Sequence, residues 1–275
     1  MTTWIDEERL KTDDAYCYNL FRESFIDRSK ENVELLIATG ANVNAKGSDV
    51  IRLSDRTPLH CAVSIYCSCS SGQDCTDNPP LSRDIISLLI EKGADVNAKD
   101  SLLDTPLHFA VRENNPDIVR LLINNGAEID SRDSGKITPL YYAIEHDNDK
   151  DIIELLIDNG ADVNVKTFNG YTPLHIAVEK GNIDVAELLI SKGADVNVEN
   201  NSKKTPLRVA VEGNNADIVK LLINNGAEVD HKGDRGKGLL YYATLYHGSN
   251  KDIIELLIDN GADVNAKFFN DYTPL

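Results

Sequence analysis

The apolar positions of this chain come as pairs of short clusters separated by polar turns, and one pair stands for the rest. In Thr172-Pro173-Leu174-His175-Ile176-Ala177-Val178 the first cluster follows a Thr whose hydroxyl can cap a helix. Pro sits at that helix's first position, where a missing N–H costs nothing. A turn at Gly181-Asn182 ends it, and Asp184 stands at the start of a second helix, where negative charge meets the positive end of the dipole. Val185, Leu188, Leu189 and Ile190 then fall on one broad face. Gly193 lies just past the end, where left-handed backbone is cheap only for Gly, and Ala194-Asp195-Val196-Asn197 leads into a polar turn. Two short antiparallel helices and a projecting turn make one unit. So small a unit cannot bury its own apolar faces and must stack on its neighbours.

Two independent markers carry the same period. Gly-Ala recurs at Gly40, Gly93, Gly126, Gly160, Gly193, Gly226 and Gly261, at spacings of 53, 33, 34, 33, 33 and 35 residues. Thr-Pro-Leu recurs at Thr57, Thr105, Thr138, Thr172, Thr205 and Thr273, with Gly238-Leu239-Leu240 where another is due. Residues 1–44 read as an N-terminal extension (a short helix from Trp4 to Lys11) and a degenerate capping unit from about Asn19, without Thr-Pro-Leu. Residues 45–275 read as the array proper. Its first full unit is 20 residues too long, with extra residues between Lys46 and Arg56 and a cysteine-rich insertion at about 65–82. Such an insertion lengthens a surface loop at little entropic cost. A superperiod of 100 residues is also present: Asp117 to Gly126 returns almost unchanged from Asp217. The sequence stops at Leu275, one turn into another unit, which reads as a fragment or truncated copy of a longer array.

Composition narrows the partner. A globular profile, 41% hydrophobic and 27% charged, carries a formal charge of −17. That balance repels phosphate backbones and anionic membranes, so it favours a protein partner, one with a basic patch, over nucleic acid. The first residues have neither a basic nor an apolar signal region, and no apolar run is long enough to span a bilayer. Five cysteines, four of them in one short segment, point to a reducing compartment, with the cytoplasm as the default location and the nucleus as the other.

Nothing marks a nucleophile with its base or a phosphate-cradling loop, so the expectation is a non-enzyme without cofactor, metal or small-molecule substrate. His60, His108 and His175 share one repeat position and are expected to hydrogen-bond backbone, tying adjacent units together; Tyr141, Arg208 and Tyr241 replace them elsewhere. His60, Cys61, Cys67, Cys69 and Cys75 are numerous enough for zinc, but their spacing is not the Cys-x2-Cys of a ribbon or finger. A loop of reduced thiols is preferred over a metal site or a local disulfide.

Motif, order and period together resemble the ankyrin-repeat family, over roughly residues 19–275. The resemblance implies an all-α solenoid of stacked helix-turn-helix units with projecting hairpin-like fingers. It also implies a protein-interaction scaffold that binds through the fingers and the concave face. Counted from each Gly-Ala, the implied contact positions include Leu102, Arg112, Ile137, His146, Phe168, Asn169, Tyr171, Lys180, Lys204, Arg235, Tyr246, Phe269 and Tyr272. The four finger aromatics (Phe168, Tyr171, Phe269 and Tyr272) are favoured, because interface hot spots favour aromatics. Asn97, Asn164, Asn197 and Asn265 are similar to ankyrin asparagines hydroxylated by a 2-oxoglutarate oxygenase. Long arrays with diverged caps look like those of large DNA viruses and intracellular bacteria, which would make the chain a host-directed effector. The other readings are a structural spacer, or the regulatory arm of a larger protein whose C-terminal effector domain is absent.

Overall fold

The structure is a computed structural model that describes residues 5–47, 55–67, 79–230, 238–245 and 250–265. The described residues form helices joined by short turns, with one isolated antiparallel bridge between Gly47 and Arg56. No helix among them is long and apolar enough to cross a membrane. The chain divides into two compact units, the first Met1–Ser134 with Asp151–Gly160 and the second Gly135–Lys150 with Ala161–Leu275.

In the first unit α1 (Glu7–Thr12) precedes α2 (Asp14–Ile26) and α3 (Lys30–Ala38). Next come α4 (Pro58–Cys67), α5 (Pro79–Glu91), α6 (Pro106–Arg112) and α7 (Pro116–Asn124). Helix α2 packs on α1, α3 and α4, and α4 packs on α5 and α6, so each first helix lies against the next one along the chain. The start differs from the sequence expectation. The capping unit is expected from about Asn19, and its first helix begins at Asp14, because the Asp13 carboxylate caps it by accepting from the Tyr16 N–H at 3.0 Å. That adds a turn and buries Cys17, Tyr18, Phe21 and Phe25.

The second unit holds α8 (Pro139–Glu145), α10 (Pro173–Glu179), α11 (Ile183–Ser191), α12 (Pro206–Glu212), α13 (Ala216–Asn224), α14 (Leu239–Leu245) and α15 (Lys251–Asp259). Helix α9 (Lys150–Asp158) falls between them in sequence and, from Asp151, belongs to the first unit. Within the second unit α8, α10, α12 and α14 stack in that order, and α11, α13 and α15 form a second layer behind them.

Local chemistry explains the capped helix starts. Thr172 is extended (φ −105°, ψ 166°), and its hydroxyl accepts from the His175 N–H at 3.4 Å. The His175 Nδ1 returns the favour by accepting the Thr172 N–H at 3.3 Å. This is a capping box in which His takes the usual place of Glu or Gln. Second helices are capped by Asn: Asn115, Asn182 and Asn215 accept from Ile118, Val185 and Ile218 N–H groups at 3.0–3.1 Å. Asp184 does lie in the first turn, but the hydrogen-bonding cap is the Asn two residues before it. At the far end, Gly193 adopts φ 90° so that the Ala194 N–H reaches the Leu189 carbonyl at 2.9 Å, closing the last turn.

Candidate functional site

The fingers are tight hairpin turns. In the first unit the Asp100 N–H donates to the Asp104 carbonyl at 3.0 Å, while Asp100 Oδ1 accepts from the Leu102 and Asp104 N–H groups. In the second unit Thr167 N–H to Tyr171 O (2.9 Å) and Asn200 N–H to Lys204 O (3.0 Å) repeat the closure. Each turn needs one left-handed residue, and Leu103 (φ 64°), Gly170 (φ 78°) and Lys203 (φ 57°) fill that place. Successive fingers are also bonded to each other. Phe168 N–H donates to Gly135 O at 3.1 Å, Asn201 N–H to Asn169 O at 3.1 Å, and Asn201 Nδ2 to Phe168 O at 3.0 Å. A finger residue is therefore held from both sides.

Two further devices lock one repeat to the next. The His ring that caps its own helix through Nδ1 carries its proton on Nε2 and donates onward: His60 to Asp104 O at 3.1 Å, His175 to Lys204 O at 3.0 Å. The second device is the Asn that closes the Gly-Ala-x-Val-Asn stretch. In each case its Nδ2 donates to a carbonyl of the next repeat and its Oδ1 accepts an N–H two residues further on. Asn97 bonds Gly126 and Glu128, Asn164 bonds Gly193 and Asp195, and Asn197 bonds Gly226 and Glu228, all at 2.8–3.0 Å. Asn44 does the same with Gly93 and Asp95. The sequence reading did not single out Asn44, although its place after Gly40-Ala41-Asn42-Val43 was the available signal.

Asp230 occupies this ladder position without an amide, and among the described residues its Oδ1 accepts from the Asp263 N–H at 3.1 Å. Asp230→Asn restores the donor and is expected to raise stability by about 1 kcal/mol, the usual net worth of one hydrogen bond. Chemical denaturation checks it; an unchanged or lower midpoint means that the ladder adds nothing at this end.

Burial pushes the His60 ring down to about 4 and lowers His175 as well, because a charged imidazole is poorly solvated there. In the unfolded chain these rings titrate near 6.5. Between those values the unfolded chain binds more protons than the folded one. The stability gained from neutral rings is therefore complete above about pH 6.5 and is lost as the pH falls toward about 4. Burial also raises the Asp104 and Glu113 carboxyls, and their protonation works in the opposite direction. Comparison with His60→Gln isolates the ring. From about pH 7.5 to about pH 5 the wild type should lose several degrees of Tm more than the variant. Equal slopes would contradict a neutral, buried His60.

The proposed contact residues separate into distinct environments. In the first unit Leu102 is exposed at the fingertip beside Leu103, while Arg112 is turned inward. Its guanidinium meets the Asp104 carboxylate at 3.2 Å and lies over the Phe109 ring at 5.4 Å. In the second unit Phe168 is 71% exposed, with the Lys136 ammonium 5.9 Å from its ring centroid. Tyr171, on the same finger, is half-buried and tilts onto His175 at 5.4 Å. Asn169 is exposed, Ile137 half-buried, and the exposed His146 stacks on Tyr142 at 5.8 Å. Lys180 pairs with Asp147 at 3.5 Å, and Lys204 pairs with Glu212. Arg208, at the His position, bonds Glu212 of its own helix (3.0 Å) and reaches the next repeat through the Tyr242 ring, 4.0 Å from its centroid, a cation–π contact in place of the neutral His bridge. Arg235, Tyr246, Phe269 and Tyr272 lie outside the described residues. Asn265 is exposed, and its N–H donates to Asp263.

Catalytic and metal readings fare differently. Both nitrogens of His60 are engaged, so it has no lone pair left for zinc, and the Cys61 thiol is buried 2.8 Å from the Tyr18 hydroxyl. The side chains of Cys67, Cys69 and Cys75 lie outside the described residues. Among the described residues no group of three or more His, Cys, Asp or Glu side chains is placed to hold a metal ion. One apolar groove of about 230 Å³ lies against the first helices, lined by Ile5, Leu20, Glu23, Ser24, Asn32, Leu35 and Leu36.

Stacked helix pairs with bonded fingers define a class of repeat scaffold. The chain belongs to the ankyrin-repeat family: the family model described as ankyrin repeats in three copies matches residues 73–167, 133–200 and 195–268. Among the solved structures it resembles is the ankyrin repeat domain of Bcl-3, described as a unique member of the IκB protein family. That match has 30% identity and a TM-score of 0.64, and covers 80% of this chain and 92% of that one. No curated protein matches this chain. The all-α ankyrin-repeat fold expected from the sequence is thus established. Ankyrin repeats are in general protein–protein interaction modules, and the fold is typically a non-catalytic scaffold.

Proposed function

We propose that this chain is a recognition scaffold that binds a partner protein through its fingers and the adjoining ends of its first helices, acting by occupancy. The observation that carries the reading is Phe168, a large aromatic side chain 71% exposed on a backbone clamped by both neighbouring fingers. A ring presented on fixed backbone loses little entropy on docking, which is the physical basis of an aromatic hot spot. A spacer would be served by uniformly polar fingertips; Phe168 and the Leu102–Leu103 pair are not that. A host-directed role in the cytosol or nucleus of an infected cell is the biological setting we favour, on the resemblance of the array to viral and bacterial ones.

The test is affinity capture from the native host with wild-type chain and with Phe168→Ala plus Tyr171→Ala. A partner retained equally by both proteins would refute the finger surface. Hydroxylation at Asn97, Asn164, Asn197 and Asn265 is a separate proposal, read as a 16 Da gain after oxygenase treatment. The first three side chains are bonded at both amide atoms, so modification there requires local opening of the ladder.

A further inference from the structure

Charge in the second unit is sorted by layer. The second-helix layer and the turns that follow it expose Asp184, Glu187, Asp195, Asp217 and Glu228, against the exposed bases Lys192 and Lys220. The fingers are the reverse. They carry Lys136, Lys166, Lys203 and Lys204 against Glu199, and the finger that bears Lys136 opens with an Arg132–Asp133 pair of opposite charges. Phe168 stands in the middle of this ridge, because the backbone bonds from Phe168 to Gly135 and from Asn201 to Asn169 set three fingertips side by side.

The pairing within the ridge matters. Lys203 is tied to Glu199 at 2.7 Å, and Lys204 to Glu212. Lys166 directs its ammonium to the Glu199 carbonyl at 3.0 Å, a neutral acceptor, and the Lys136 ammonium lies over the Phe168 ring, 5.9 Å from its centroid. Behind the tips runs an acidic row, Glu145, Glu179 and Glu212, at the C-terminal ends of the first helices. Arg208 and Lys204 hold Glu212, leaving Glu145 and Glu179 as the acids behind the tips.

We infer that the fingertip ridge of the second unit, with Lys136 over the Phe168 ring and Lys166 on the same finger as Phe168, takes an acidic, extended segment of the partner protein that seats an apolar side chain against Phe168. This rests on the recognition-scaffold reading and specifies its partner. Whole-chain charge suggested a basic partner; local placement reverses that, because screening limits each charge to about 10 Å and a ligand responds to what lies under it. A nucleic acid is disfavoured on the same ground. The ridge offers fewer cations than the several phosphate contacts such binding uses, and Glu145 and Glu179 stand behind it.

Fluorescence anisotropy of the full chain tests this with probe peptides of about twelve residues built around a central Phe: one rich in Glu and Asp, one with Gln and Asn in their place, one rich in Lys. A single-stranded oligonucleotide serves as a fourth probe. At low salt the acidic probe should bind at least about tenfold more tightly than the neutral one, and the gap should close at high salt. Lys136→Glu with Lys166→Glu should abolish that preference, whereas Glu145→Gln with Glu179→Gln should leave it intact or strengthen it. Lys136, Lys166 and Glu179 are exposed and Glu145 is half-buried, and circular dichroism verifies the fold. Equal or tighter binding of the neutral, basic or oligonucleotide probe, or no binding of the acidic one, overturns the inference. Capture of the native partner separates the two claims. Loss with Phe168→Ala but not with the lysine reversals removes the acidic-segment inference and leaves the scaffold; no loss with Phe168→Ala removes the scaffold reading itself.

Discussion

Leu189→Ala should lower the stability of the chain by about 2–5 kcal/mol, the range for emptying a fully buried leucine site. Leu189 has no exposed surface and sits in α11, the helix that packs on both α10 and α13. In a repeat array each unit is stabilised mainly through its neighbours. A cavity at this point therefore weakens one helix pair and its contact with the next, with no distant core to compensate. Thermal melting should show a fall of roughly 10 °C, taking a few degrees per kcal/mol for a unit of this size. Glu187→Ala, two positions away on the same helix and exposed, should change stability by no more than about 0.5 kcal/mol. A shift for Leu189→Ala as small as that of Glu187→Ala would mean that the stacked helices do not form the core described.

The second large effect is on binding rather than folding. Phe168→Ala should weaken the partner complex by about 2 kcal/mol or more, some thirtyfold in Kd, the signature of a central hot spot. Its melting temperature should stay within about 2 °C of wild type, since the exposed ring contributes little packing. Tyr171→Ala should show the opposite balance, because the Tyr171 ring is tilted onto the buried His175. Calorimetric titration beside thermal melts distinguishes the two. An affinity change below about threefold for Phe168→Ala would move the interface off this finger.

These contrasting neighbours show how far the sequence could be read. Phe168 and Tyr171 were equivalent candidates, two aromatics in one polar turn, and nothing within the finger ranks them. The ranking comes from Gly135, Asn201 and His175, partners up to about a repeat away in the chain, which hold one ring out and draw the other in. Arg112 and Lys204 were likewise chosen as contacts by position, yet both are committed to carboxylates of their own chain, Asp104 and Glu212. At the N-terminus no Thr-Pro-Leu marks the first helix start, and Asp13, a cap without a repeat signature, sets it at Asp14.

What the sequence by itself determined is the repeat: a period near 33 residues, Thr and Pro at the start of most first helices, Gly just past each second helix, and apolar residues on the faces between. Those features are local, because caps and turns close within three to five residues and the helical period is short. Only the tertiary structure decided which tautomer His60 and His175 adopt, which finger side chains meet water, and that lysines gather at the tips while acids line the second-helix layer. Each of those depends on a carbonyl, ring or charge supplied by the next repeat, and no spacing within one repeat encodes it.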